Sequence, residues 1–216
     1  MRGYVKALFG IMFVFLILFV AGCGDEEDDA DGTDSNDRQT IQDTTINGIE
    51  CVLVKAGTFK MGSPTSDAKR DSDETQHKVT LTEDFWISKY PITKAQYYEK
   101  TYEGYDANYP ITYVNWTQAN EFAQSLDGRL PTEAQWEFAA RGGINSKGYI
   151  YSGSNNLDNV AIYNSLALTV GQKQANELGI YDMSGNVWEW CSDWYAAYPT
   201  GAVTNPTGPS TGGNRV

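Results

Sequence analysis

Four carboxylate or amide side chains and one thiol share the stretch "YDMSGNVWEWCSDWY", residues 181–195: Asp182, Asn186, Glu189, Asp193 and Cys191. Threaded among them are three of the chain's six tryptophans, Trp188, Trp190 and Trp194. That mixture admits three chemistries: a packed aromatic core, a ligand site built on oxygen, or an oxidation-prone catalytic centre. The rest of the chain narrows the choice. There is one histidine, His77, so a zinc site built on several histidines is excluded, and a Ser-His-Asp triad would have to run through it. Standing at the start of an alternating run, His77 reads as structural. The formal net charge of −12 argues against nucleic acid as a partner, because phosphate binding needs clustered Lys and Arg.

The elements that must position these residues begin after an unusual N-terminus. "MRGYVKALFGIMFVFLILFVAGC" carries Arg2 and Lys6 ahead of an apolar run from Ala7 to Ala21, the layout of a secretory signal peptide. The run is about 15 residues, short of the ~20 that a spanning helix needs. Its end, "VAGC", resembles the lipobox of bacterial lipoproteins, which implies removal of residues 1–22, lipidation of Cys23, and an exported protein anchored to a membrane. Residues 23–46, beginning "CGDEEDDADGTDSND", are acidic and polar and read as a disordered, self-repelling tether.

From residue 47 to 216 the texture is that of one α+β domain. "CVLVKAGTFKMGS" and "HKVTLTEDFWIS" alternate apolar and polar residues, as half-buried strands do. Three short helices follow. Thr93 caps the first, Thr117 the second, with Ala119, Phe122, Ala123 and Leu126 on one face. Thr132 and Gln135 form a capping box for the third, closed by Gly142 and Gly143. Beyond residue 143 turns and short strands dominate, in keeping with 21 glycines and 14 tyrosines.

Several stretches, in order, resemble the sulfatase-modifying factor family, also called the formylglycine-generating enzyme family: "FKMGS", "HKVTL", "YPITKAQY", "GRLPTEAQWEFAARGG", "LGIYDMSGNVWEWCSDWY" and "NPTGPSTGGNRV". The resemblance implies a variant of the C-type-lectin fold, with short helices and much irregular backbone. It implies that Trp188 and Trp190 are core aromatics and that Trp194 lies nearer the surface. It also implies structural calcium, a hard cation that takes six to eight oxygens. Carried over by position, the metal ligands would be Gly185, Asn186, Val187 and Glu189, with Asn159, Val160 and Asn164 from "DNVAIYNS" supplying a second set. An ion pair between Glu189 and Arg141 is the alternative use of that carboxylate.

For activity, the resemblance implies oxygen-dependent oxidation of a sulfatase cysteine to formylglycine, with copper held by two active-site cysteines. Two thiolates suit Cu(I), a soft ion. In the family that pair lies beyond an Arg-Gly-Gly-Ser-aromatic stretch, and this sequence reaches only "GGNRV". The chain is therefore expected to be a C-terminally truncated form, with no catalytic residue of its own, unpaired strand edges and poor folding. Cys51 and Cys191 are expected to be buried thiols or a disulfide. The partners are then the membrane and a sulfatase-type protein substrate or, for a non-catalytic lectin-like module, a surface protein or glycan.

Overall fold

In the computed structural model, residues 13–15, 17–20, 40–67, 70–99 and 102–216 are described. Cys23 and most of the acidic stretch lie outside them. The folded part is built on a four-stranded sheet of order β2-β7-β4-β3: β2 (Leu18–Val20), β3 (Asp43–Ile46), β4 (Ile49–Val54) and β7 (Phe85–Ser88). Adjacent strands in it run antiparallel. A second sheet pairs β5 (Gly57–Met61) with β6 (His77–Leu81) antiparallel, and β6 with β9 (Val203–Thr204) parallel. A third, smaller pairing sets β1 (Phe13–Phe15) parallel to β8 (Trp188–Trp190).

Local chemistry explains most of these elements. β4 carries "IECVLV", buried at every position except Glu50, as befits a strand between two neighbours with helices packed on it. Asn47 and Gly48, both at positive φ (49° and 82°), make the two-residue turn that folds β3 onto β4. This moves the boundary of the acidic tether. Asp43–Ile46 is a strand, because Thr44, Thr45 and Ile46 are β-branched and the turn behind them sets the register.

The helices are short and individually capped. α1 (Lys94–Tyr97) starts at Thr93, and α3 (Glu133–Ala140) at Thr132, each with a reciprocal capping box to a glutamine. α2 (Trp116–Ser125) begins two residues before the expected Thr117. Asn115 Oδ1 accepts from the Gln118 amide at 3.0 Å, and Gln118 Oε1 accepts from the Asn115 amide at 2.9 Å. An asparagine with a glutamine three residues on satisfies two orphan donors, which Thr117 could not do without losing a turn. A last short helix, α4, spans Leu157–Val160.

Two apolar clusters hold the layers. One joins Val52, Val54, Val79, Phe85, Ile87 and Phe138 under α3. The other joins Ile49, Cys51, Ile92, Ala119, Ala123 and Leu130 under α2, and includes Ile17 and Phe19. On one side of the main sheet β2 covers β7; on the other β3, with β4 as its one strand partner among the described residues, forms the outer edge.

Candidate functional site

After Ile180 the chain has almost no ladder to rest on, and side chains take over the hydrogen bonding of the backbone. Asp182 sits at φ 61°, and its Oδ2 accepts from the Gly171 amide at 2.8 Å. Burial holds its carboxyl above the usual range. Gly185, at φ 123°, lies so close to the neighbouring loop that a Cβ would meet the Ile162 carbonyl oxygen at 2.6 Å. The next amide, Asn186 N–H, donates to that same oxygen at 2.7 Å. Asn186 then uses both ends of its side chain on one residue: Oδ1 accepts from the Leu168 amide at 2.9 Å, and Nδ2 donates to the Leu168 carbonyl at 3.2 Å.

The aromatic residues that follow are clasps more than core. Trp190 is half-buried, and its indole N–H donates to the Val114 carbonyl at 3.0 Å. Trp116 donates likewise to the Cys191 carbonyl at 2.8 Å, so α2 and β8 hold each other by two indoles. The Arg215 guanidinium lies between two rings, 3.8 Å from the Trp116 centroid and 3.6 Å from that of Trp194. Its Nη1 also donates to the Ser192 carbonyl. Trp188 departs from expectation. It is 39% exposed, although on β8 it shares a face with the half-buried Trp190 two residues on.

Glu189 points the other way. Its Oε2 accepts from the Trp136 indole N–H at 2.5 Å, and its Oε1 is buried with no hydrogen-bond partner among the described residues. Burial pushes this carboxyl up to about 8, with the indole donation opposing and Asp182 adding to the shift. Arg141 does not reach it. That guanidinium is committed to Glu137, 2.6 Å away, and to the Gly62 carbonyl. Glu137 also accepts from the Gly62 amide, so this buried cluster fastens α3 to β5. Burial alone would raise the Glu137 carboxyl, yet it lies below the usual range, and the Arg141 guanidinium and the Gly62 amide both act in that direction.

The residues expected to bind calcium fall into two groups that meet at Ile162. Val160 is buried at the end of α4, Asn159 uses its carbonyl to accept from the Gln174 amide at 2.9 Å, and Asn164 is exposed at φ 53°. The donor chemistry suits a hard cation in part. Glu189 offers an orphaned buried oxygen, whereas the Asn186 amide is spent on Leu168 and the Gly185 carbonyl already accepts from the Val187 amide at 2.8 Å, with one lone pair left. Among the described residues no three His, Cys, Asp or Glu side chains converge in a metal-ligand cluster. Any site here therefore leans on backbone oxygen.

The thiols do not suit copper. Cys51 and Cys191 are both buried, and no disulfide joins them to each other. Cys51 lies in β4, donates to the Ile49 carbonyl at 3.4 Å, and is pushed by burial up to about 12. A thiol so hard to ionise is a poor nucleophile and a poor metal ligand. His77 Nδ1 lies 2.9 Å from the Thr75 carbonyl, and the ring packs edge-on against Tyr198.

Two residues carry more of this architecture than the sequence suggested. Asn176 is buried, and its Nδ2 donates to the Ala139 carbonyl at 2.8 Å and to Ser152 Oγ at 3.2 Å. Its Oδ1 accepts from the amides of Leu178 and Ile180 at 3.0 and 3.2 Å. Asp193 accepts from the Glu133 amide at the start of α3 and from Ser192 Oγ, both at 3.0 Å. Nothing in periodicity or composition marks Asn176; only its position just ahead of the glycine-containing turn at Leu178–Gly179 hints at a turn-bonding amide.

Residues 37–216 match the sulfatase-modifying factor enzyme 1-like domain. The chain belongs to this family. Among its relatives is the chaperone protein LppX of Paenibacillus barcinonensis, 31% identical over 73% of this chain and 75% of that protein. The formylglycine-generating enzyme of Streptomyces coelicolor is 36% identical over 50% of this chain, a region that is 40% of the enzyme's own length. The serine/threonine-protein kinase pkn1 of Chlamydia pneumoniae is 32% identical, with the match spanning 32% of that protein. Family folds agree as well. Treponema denticola variable protein 1 superposes with a TM-score of 0.63 at 23% identity, over 82% of this chain and 86% of that one. PvdO from Pseudomonas aeruginosa gives 0.59 at 24% identity, over 74% and 76%. These likenesses establish the α+β fold of the formylglycine-generating-enzyme type.

Proposed function

We propose that this chain is an exported, lipid-anchored protein whose formylglycine-generating-enzyme-like domain serves as a non-catalytic binding module for a surface protein or glycan. One observation carries the reading: the domain's two described thiols are both buried, and burial pushes Cys51 far from ionisation. A copper-binding or oxidising pair needs the opposite environment, accessible and readily deprotonated. The surface supports a binding role. Tyr105 and Tyr113 are 100% and 81% exposed, and the rings of Tyr97, Tyr98 and Tyr102 contact one another in series. Rigid, amphipathic tyrosines of this kind give large contact area at low entropic cost. By contrast the aromatics near Trp194 are tied to the scaffold, Tyr195 to Asp73 and Tyr198 to Glu133.

Calcium belongs to this reading as a structural ion held by Glu189 and neighbouring carbonyls of Gly185 and Val187, with Asn186, Asn159, Val160 and Asn164 shaping the loops around it. When bound, it would supply positive charge to a carboxylate that burial otherwise keeps protonated. Chelation with EGTA should lower the melting temperature by several degrees, as linkage requires, and Glu189→Gln should erase that difference. Identical melts with and without chelator would remove calcium from the account.

The second reading, oxidation of a sulfatase cysteine, is favoured by the 36% identity to a formylglycine-generating enzyme. Incubating the chain with copper, oxygen and a cysteine-containing sulfatase peptide tests it directly. Aldehyde detected on the peptide by mass spectrometry would retire the binding-module reading. Acyl mass on Cys23 of protein taken from membranes is the test of the anchor.

A further inference from the structure

The apolar segment read as a leader is also a strand of the folded domain. Ile17, Leu18 and Phe19 are 0%, 1% and 5% exposed, among the most deeply buried residues of the chain. β2 is hydrogen-bonded along both edges. On one side it runs antiparallel to β7, with Leu18 opposite Ile87, and the Ser88 amide donates to the Ile17 carbonyl at 2.9 Å. On the other, Leu18 and Arg129 exchange two backbone hydrogen bonds, of 2.8 and 2.9 Å. The surroundings are fitted to it. A Cβ at Gly128 would lie 2.5 Å from Ile17 Cγ2 and 3.2 Å from the Leu18 carbonyl oxygen, so only glycine lets the strand approach this closely. Ser88 is fully buried, and its hydroxyl accepts from the Ile17 amide at 3.2 Å. The slot's floor is the apolar cluster of Cys51, Ile92, Ala119, Ala123 and Leu130.

We propose that the gap between β7 and the segment at 128–130 is a strand-acceptor slot, and that Ile17–Phe19 is its occupant whenever the domain folds with the N-terminal segment attached. An empty slot would leave the β7 edge without hydrogen-bond partners and the floor wet, so an extended apolar strand is what it selects. The segment's two roles exclude each other. A docked strand is closed to a peptidase or a membrane, and a segment engaged in export cannot complete the sheet. Processing after Gly22 therefore competes with folding. That consequence rests on the leader reading given above; the docking itself does not.

The test uses the full chain carrying Cys23→Ser, with a protease site placed within residues 27–35. After folding and nicking, the N-terminal fragment should co-migrate with the domain on gel filtration and leave only in denaturant. Leu18→Asp should lower that retention at least tenfold, while Ile150→Asp, at an exposed site, should leave it unchanged. Register gives a second readout that does not depend on Leu18→Asp folding. Residues directly opposite on antiparallel strands are within disulfide reach, so Leu18→Cys with Ile87→Cys should cross-link under mild oxidation, and Leu18→Cys with Phe85→Cys should not. A fragment that departs on nicking with no change in melting temperature would overturn the proposal, as would cross-linking indifferent to register. Acylation of Cys23 in cells bears only on the leader reading and can fail or succeed independently.

Discussion

The strands and helices of residues 43–140 and the irregular chain of residues 141–216 solve the same problem by different means. In the first region backbone donors and acceptors are paired by ladders and helical turns, and alternating or helical apolar spacing buries one face. In the second, where β8 and β9 together hold five strand residues, single polar side chains do that work. Asn176 serves four groups, Asn186 takes both backbone groups of Leu168, Asp182 takes Gly171, and the indoles of Trp116 and Trp190 take carbonyls. A ladder distributes its bonds over many residues and tolerates substitution at any one. A hub concentrates them, so the irregular region should be brittle where the sheet region is forgiving.

That contrast can be broken first at Asn176. Asn176→Ala strands two buried amides at once, those of Leu178 and Ile180, while the Ala139 carbonyl keeps the Gly142 amide; at about 1–3 kcal/mol for each orphaned group it should cost about 2 kcal/mol or more. Urea unfolding measures it. A loss under about 1 kcal/mol would mean that water or rearrangement replaces the hub, and the comparison would fail.

Asp193 sharpens the comparison through pH. Its carboxyl joins the irregular segment to the start of α3, and burial raises it from 3.8 to about 6. A carboxyl raised on folding keeps its proton in the native state while the unfolded chain gives it up. Stability from this group is therefore full below the unfolded value and falls as pH climbs towards 6. Asp193→Asn should flatten the decline in melting temperature between pH 4 and 6, with a gain on the order of 1–2 kcal/mol above it. A variant that tracks the parent at every pH would mean the native carboxylate is already well solvated.

The smallest effect belongs to the regular region. Asn115→Ala removes one half of a capping box from α2 and should cost about 1 kcal/mol by denaturant melts, since the remaining turns and the buried Ala119 and Ala123 hold the helix. A cost equal to that of Asn176→Ala would erase the distinction between ladder and hub.

Much of the regular region was legible in the residues because its rules are local. The Thr132–Gln135 box, the alternation of "HKVTL" and the stop at Gly142 each depend on neighbours within a few positions. The start of α2 was misread by two residues for a local reason too: Asn115 and Gln118 outcompete Thr117 for the cap. The "GNVWEW" stretch was legible as a unit, and as a mark of the family, but not residue by residue. Trp188 and Trp190 are two positions apart on one strand, and which of them is covered depends on what packs there from elsewhere in the chain.

The sequence by itself determined the class of fold, the family, the short capped helices and the loop-rich second half, because propensity, capping and turn chemistry act over a handful of residues. Only the tertiary structure decided the fates of the chemically interesting groups. Glu189 meets Trp136 across 53 positions, Arg215 slots between Trp116 and Trp194, and Leu18 bonds to Arg129 through an approach that Gly128 permits. Whether a carboxylate is orphaned, a thiol silenced or an apolar N-terminal strand taken into a sheet depends on partners far along the chain, and those are chosen by packing rather than by spacing.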